Sequence, residues 1–267
     1  MLKLRFKRKY LSIPYLIFLI LFVLLPLILI VYYSLSDESG KLSFVNFATF
    51  FTNKNKIGLL AVSIIIGALN TILCILIGYP VAFILAKNTK GNNKLSILVL
   101  LFIMPMWINF VLRTAATRDL LYWLGLDGGN HPYLATMIGM VYNYLPFTIL
   151  PLYSTMIKMD KSLIDASYDL GANKVQTFVK TTIPMTMPGI VSGAMMVFMP
   201  TMSSFVISDV MGERKIQLIG NSIQFNFDQM RWHEGSFIAF IMLIIIAISM
   251  LLTRNMKKEE TVRGGLW

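Results

Sequence analysis

Few side chains in this 267-residue sequence have the chemistry of an active site. His131 and His233 are the only histidines, and neither stands in a His-Glu-x-x-His zinc motif. Cys74 is the only cysteine, which excludes an intrachain disulfide and a cysteine-based metal cage. The phosphate-binding pattern Gly-x₄-Gly-Lys-Ser/Thr is also absent from the sequence. We therefore predict no catalytic residue, no metal and no cofactor, and an intramembrane enzyme is not favoured.

A second set of polar and aromatic side chains adjoins long apolar stretches of the sequence. Asp209 follows a long charge-free stretch, and an acidic residue near membrane depth is functional by default. Trp107 lies beside Pro105, where a helix should be interrupted, and Asn109 and Tyr142 could line the same cavity. The alternatives are that Asp209 caps a helix at the headgroups and that Trp107 is an interfacial anchor.

The elements that position these residues are predicted from the charge pattern. Hydrophobic residues make up 56% of the chain and charged residues 14%, whereas a soluble domain has roughly 25% charged residues. Six windows contain no Lys, Arg, Asp or Glu, and each is long enough to cross a bilayer as a helix. This pattern excludes a soluble enzyme, a disordered chain and a porin-type barrel. The six predicted transmembrane helices lie near 11–33, 60–86, 95–115, 133–157, 185–208 and 236–253.

We therefore predict an all-α, polytopic membrane protein with a single transmembrane domain over 1–267. Sorted by the segments between these helices, 16 of the 24 Lys and Arg residues fall on one side and eight on the other. The positive-inside rule places the richer side, with both termini, in the cytoplasm. The net charge of +11 then belongs wholly to the inner face, where it meets anionic lipid, so nucleic acid is not needed to explain it.

The segment 158–184 is the most patterned loop on the predicted inner side. Ser162 with Asp165 three residues later resembles a capping box, and Gly171 is a helix stop. Asn173 with Gln176 predicts a second helix start. The loop should therefore form two short helices with an exposed apolar edge. That edge either rests on the bilayer as a connector or docks a cytoplasmic partner.

The same loop resembles the EAA loop of ABC-importer inner-membrane permeases, whose pattern is Glu-Ala-Ala-x₃-Gly-x₉-Ile-x-Leu-Pro. The matching residues here are Asp165, Ala166, Ser167, Gly171 and Pro184. Asp replaces the Glu, Ser replaces the second Ala, and two aliphatic positions near the proline also differ. The resemblance implies a type I permease fold forming half of a pore. It also implies a cytoplasmic ATPase dimer docked on this loop, a second homologous permease and an extracytoplasmic solute-binding protein.

Two further segments, 104–114 and 205–212, are similar to polyamine permeases of this family. The resemblance implies spermidine and putrescine as substrates, with Asp209 and Trp107 meeting the ammonium groups, in a bacterial inner membrane. Permeases for iron, sulfate and molybdate share the architecture, and Arg113 would suit an oxyanion better than a cation. A secondary transporter working alone is less favoured, because the predicted helix centres carry no ionisable group.

Overall fold

A computed structural model describes residues 12–37, 39–89 and 99–263 of the chain. Within these residues the backbone is almost wholly helical and forms no strand beyond one isolated bridge between Ser36 and Leu42. The predicted all-α class is therefore confirmed. The basic residues before Ser12, together with Lys90 and Lys94 of the predicted inner side, lie outside the described residues.

Eleven helices are named here in chain order. They are α1 (Ser12–Leu19, Ile20–Leu24 and Leu25–Ser34), α2 (Val45–Thr52), α3 (Lys54–Thr89), α4 (Val99–Trp107), α5 (Phe110–Trp123), α6 (Pro132–Ile157), α7 (Ser162–Asp169), α8 (Lys174–Ser203), α9 (Val206–Met211), α10 (Ile219–Asp228) and α11 (Trp232–Arg263). Within the described residues, five helices are long and apolar enough to cross a membrane, and a sixth crossing results if α4 and α5 form one span.

The chain divides into two compact units, Met1–Ile57 with Ser222–Ile245 and Gly58–Asn221 with Ile246–Trp267. In the first unit, the rings of Phe47 and Phe50 pack edge-on against Phe237, with centroid distances of 4.6 and 5.6 Å. The Lys56 ammonium and the Glu234 carboxylate of this unit form an ion pair at 3.3 Å. The second unit holds every residue that the sequence marked as a candidate site. The prediction of one domain over 1–267 stays a prediction.

The most extensive helix packing in the second unit is between α6 and α8. Gly189 permits this approach, because a Cβ atom there would lie 2.8 Å from Thr155 Oγ1 and 3.1 Å from the Pro151 carbonyl oxygen. Small residues at such positions let two backbones come close where lipid offers no hydrophobic driving force between helices. A buried hydrogen bond from Asn70 of α3 to Thr201 of α8, 2.7 Å long, adds a polar tie within this unit.

Two prolines sit inside helices that accommodate them with a π-turn. The π-turns Ile20–Leu24 and Phe178–Thr182 each end two residues before a proline, Pro26 and Pro184. In both cases the next residue donates its N–H to the carbonyl five positions back, which widens the helix where the proline lacks a donor. As a result α8 begins at Lys174 and runs through Pro184, whereas the sequence predicted a helix that starts at 185.

The third predicted helix, 95–115, is instead a broken pair. The helix α4 ends in a tight 3₁₀ turn over Met104–Trp107, and α5 starts at Phe110 at an angle of 104° to it. The Asn109 side chain caps α5 by accepting a 2.9 Å hydrogen bond from the Val111 N–H. Pro105 stops α4 and this cap starts a new helix, so the two short helices diverge. Residues 95–98 of the predicted helix lie outside the described residues.

Candidate functional site

The loop 158–184 carries the short helix α7, but its N-terminus is capped differently from the prediction. Ser162 is the first helical residue rather than the cap, and its N–H donates to the Asp160 carboxylate at 2.9 Å. Asp165 lies in the first turn, where a negative charge suits the helix dipole. The predicted capping box between Ser162 and Asp165 is therefore wrong, and Asp160 supplies the acceptor.

The C-terminus of α7 is a Schellman motif centred on Gly171. Gly171 has φ +81°, a left-handed conformation that favours glycine. Its N–H donates to the Tyr168 carbonyl at 2.9 Å, and the Ala172 N–H donates to the Ser167 carbonyl at 3.1 Å. A Cβ atom at this position would meet no other atom within 4 Å. The glycine is therefore required by backbone conformation and not by crowding within the chain.

The start of α8 follows directly and matches the predicted cap. The Asn173 side chain accepts from the Gln176 N–H at 2.9 Å, and the Gln176 side chain accepts from the Asn173 N–H at 3.0 Å. This reciprocal pair is a capping box. The hydroxyls of Ser167 and Thr177 lie 3.0 Å apart and tie α7 to α8. The two helices of the loop are thus joined by a side-chain contact, and the second is the first turn of a spanning helix.

An apolar surface on this loop is open to solvent, and Leu170 is its most exposed member at 88%. Leu163, Val175 and Val179 are also exposed. The loop also contributes to a cavity of about 680 Å³ whose walls are mainly apolar. Its lining includes Phe83, Met156, Ile164, Asp165, Tyr168, Val175 and Phe178. Of the family-motif residues, the structure brings Asp165 to this cavity, whereas Ala166, Gly171 and Pro184 belong to the helix frame around it.

The candidate pathway residues lie at the break between α4 and α5 and on α6. They are Trp107 and Asn109 at the break and Tyr142 on α6. Trp107 is 80% exposed at the end of α4, and Asn109 is used as the cap of α5. Tyr142 of α6 is 44% exposed, and its ring centroid lies 5.6 Å from the Arg113 guanidinium carbon. Both aromatic rings are therefore exposed on this chain, while the Asn109 side-chain oxygen already has a backbone partner.

Asp209 lies on the separate short helix α9 rather than on the end of the fifth span. Its carboxylate accepts a 2.6 Å hydrogen bond from the Asn221 amide, whose oxygen in turn accepts from the Ser208 hydroxyl and from the Leu218 N–H. The helix α9 packs against α5 and α6. Among the described residues no hydrogen bond or ion pair joins Asp209 to Trp107, Asn109 or Tyr142.

Arg113 and Asn143 form a contact that sequence reasoning missed. The Arg113 side chain turns inward, the residue is 7% exposed, and neither ion pair among the described residues includes it. Its Nε donates to Asn143 Oδ1 at 2.8 Å. The available signal was an arginine and an asparagine inside two apolar spans, but nothing in their spacing pairs them.

Known proteins resemble this chain both in sequence and in fold. Residues 5–258 match the family described as "Binding-protein-dependent transport system inner membrane component". The spermidine/putrescine transport system permease protein PotB of Salmonella typhimurium (strain SL1344) is 36% identical over 257 residues, with 88% of each chain covered. PotB of Escherichia coli (strain K12) is 35% identical over 254 residues, covering 87% of this chain and 91% of its own.

A solved structure shares the fold at low sequence identity. A chain of the bacterial alginate ABC transporter in complex with an alginate pentasaccharide-bound periplasmic protein superposes with a TM-score of 0.70. The match covers 95% of this chain and 94% of that chain, at 13% identity. This likeness extends to the fold alone.

Proposed function

Because this chain belongs to the family of binding-protein-dependent transport system inner membrane components, we propose that it is the permease subunit of an ATP-driven importer of spermidine and putrescine. The assignment of the substrate rests on the sequence identity to PotB proteins over most of the chain. The chain is a multi-pass protein of the bacterial inner membrane. Its role is to form half of the pore, and a partner subunit hydrolyses the ATP.

The buried state of Arg113 counts against an oxyanion as the substrate. An arginine that recognises an oxyanion presents its guanidinium fork to the solute. Arg113 instead directs its Nε and one terminal nitrogen at Asn143 and the other terminal nitrogen at the Pro105 carbonyl. The main argument for sulfate or molybdate is therefore weakened.

The partner subunits follow from the family and from the loop 158–184. A cytoplasmic ATPase dimer docks on the exposed apolar surface around α7, with Asp165, Ala166 and Ser167 on the docked helix. A second homologous permease completes the pore, and an extracytoplasmic solute-binding protein delivers the substrate. Both termini are cytoplasmic, which places this loop on the side where the ATPase binds.

The substrate pathway combines carboxylate and aromatic contacts. Asp209 accepts from one ammonium group of the polyamine, and Trp107 and Tyr142 offer ring faces to the others. Asn109 contributes to the pathway by capping α5, which fixes the start of that helix beside Trp107. Its side-chain oxygen is already bonded to the Val111 N–H, so it does not bind the solute itself.

The function is tested by deleting the gene and measuring uptake of labelled spermidine, with the wild-type gene restored as control. We expect spermidine uptake to be lost on deletion and to return with the restored gene. Normal spermidine uptake with lost sulfate or iron uptake would refute the polyamine substrate. Affinity purification from mild detergent tests the partner, because the importer should bring down an ATPase and a secondary transporter should not.

The role of Asp209 is tested by Asp209→Asn, which keeps an oxygen acceptor for the Asn221 amide and removes the charge. Loss of one charge-assisted contact should reduce spermidine uptake by roughly tenfold. The control is Asp119→Asn, an exposed carboxylate that forms an ion pair with Arg118. Uptake by Asp209→Asn at the wild-type rate would remove Asp209 from the pathway.

A further inference from the structure

The break between α4 and α5 interrupts the backbone hydrogen bonding of a helix pair that together has the length and composition of one membrane span. A bend of 104° ends the helical hydrogen-bond ladder at Trp107, and in hydrocarbon each freed carbonyl needs another donor. The Pro105 carbonyl has two donors, the Ile108 N–H at 3.3 Å and the Arg113 Nη1. The second donor comes from beyond the break, on the far side of the bend.

The Arg113 guanidinium connects three elements at this point. Besides the Pro105 carbonyl of α4, it binds both the side chain and the backbone of Asn143 on α6, at 2.8 and 3.3 Å. Asn143 is itself fixed by hydrogen bonds to Thr114 Oγ1 at 3.2 Å and to the Gly139 carbonyl at 2.8 Å. The contact therefore joins α4, α5 and α6 through one rigid planar group.

In the described part of the chain, every hydrogen-bond acceptor of the Arg113 guanidinium is an uncharged group. Neither ion pair found there includes Arg113, and its nearest aromatic partner is the Tyr142 ring at 5.6 Å. A buried cation without a carboxylate is expensive, and a neutral side chain of similar length would avoid this cost. Five guanidinium donors in one plane, however, can bridge two helices and a freed carbonyl at once.

We propose that Arg113 is a positioning residue that clasps the bend between α4 and α5 and so holds Trp107 and Tyr142 in place for the solute. Trp107 and Asn109 lie between Pro105 and Arg113, the two residues that the clasp joins, and Tyr142 precedes Asn143 directly. The clasp itself is independent of which solute is carried. Its effect on transport rests on the proposed function.

The clasp is tested by distance measurement between two spin labels, one on each side of the bend. Leu101 of α4 and Leu120 of α5 are both exposed, and Cys74→Ala removes the chain's only cysteine. The full-length chain is used in the assembly in which it is purified. The variants are Arg113→Met and Arg113→Lys, with Arg118→Met as the matched control on the same helix, since Arg118 is exposed and pairs with Asp119.

We expect Arg113→Met to broaden the distance distribution and shift its mean, and Arg118→Met to leave it unchanged. Arg113→Lys keeps the charge but cannot reach Asn143 and Pro105 together, so an intermediate distribution is expected. If Arg113→Met fails to assemble, Asn143→Ala tests the same contact from α6. A wild-type distribution in Arg113→Met, or in Asn143→Ala where that variant replaces it, would overturn the proposal.

Transport gives a second readout for the same variants. Spermidine uptake at saturating substrate should fall about tenfold or more in Arg113→Met, because Trp107 and Tyr142 would no longer be held in position for the solute. If the wild-type chain carries no polyamine, the distance measurement still decides the clasp, so the two failures are distinguishable. Reduced uptake with an undisturbed bend would mean that Arg113 acts in another way, and would also overturn the proposal.

Discussion

Replacing Gly171 tests whether the coupling loop depends on backbone conformation or on free space. Gly171 has φ +81° in the Schellman motif that ends α7, and a Cβ atom there meets nothing within 4 Å. A non-glycine residue in the left-handed region costs about 1–2 kcal/mol. Such a cost lowers the population of the native turn roughly 5- to 30-fold relative to its alternatives. Gly171→Ala should therefore weaken the turn even though the methyl group fits.

Asparagine provides the matched comparison, because it tolerates the left-handed region better than alanine does. If conformation decides, Gly171→Asn should retain more activity than Gly171→Ala despite its larger side chain. If contact with the ATPase decides, the order reverses, because the larger side chain obstructs docking more. The two causes thus predict opposite rankings.

The assay has one structural and one functional part. Hydrogen exchange at the amides of Gly171 and Ala172 reports the two Schellman hydrogen bonds and requires no ATPase. ATP-driven uptake of spermidine reports the coupling. Wild-type exchange rates in Gly171→Ala would refute the conformational argument. Normal exchange with lost uptake would assign the glycine to docking instead.

Two further predictions concern packing and pH. Gly189→Ala places a Cβ atom 2.8 Å from Thr155 Oγ1 and should lower stability by about 1–3 kcal/mol, measured by thermal unfolding in detergent. Gly58→Ala is the control, because its Cβ meets no atom within 4 Å and its helical position should gain stability, so equal unfolding temperatures for the two variants would contradict the close α6–α8 approach. Asp127 accepts hydrogen bonds from the Asn130 backbone and side chain, and these hold the pKa of its carboxyl below the usual value. Its stabilisation is present above the unfolded pKa and is lost as pH falls through the folded pKa, so the stability difference between wild type and Asp127→Asn should disappear in acid, and a pH-independent difference would disprove it.

The features that could be predicted from the sequence are local ones. The Asn173–Gln176 capping box and the helix stop at Gly171 involve residues within five positions of each other. The spans follow from charge-free windows, since a membrane helix satisfies its backbone within its own segment. These properties depend on neighbours in the chain, and a sequence displays them directly.

Features that depend on a choice between nearby alternatives were predicted less well. Both Ser162 and Asp160 could cap α7, and only the backbone path shows that Asp160 accepts the hydrogen bond. Pro184 could end a helix or lie inside one, and the π-turn before it decides for the second. The small energies that separate such alternatives are supplied by packing.

The sequence alone determined that this chain is a helical membrane protein, because apolar length and charge spacing are properties of composition along the chain. It also determined the family, because the loop motif is contiguous. Only the tertiary structure decided where Arg113 points, that α4 and α5 are separate helices, and that Asp209 sits on its own short helix beside Asn221. Arg113 and Asn143 are 30 residues apart, and their contact exists only when α5 and α6 have already packed. The partners of a buried charge come from segments that the fold brings together. The tertiary structure therefore shows the role of Arg113, and the spacing of residues in the sequence does not.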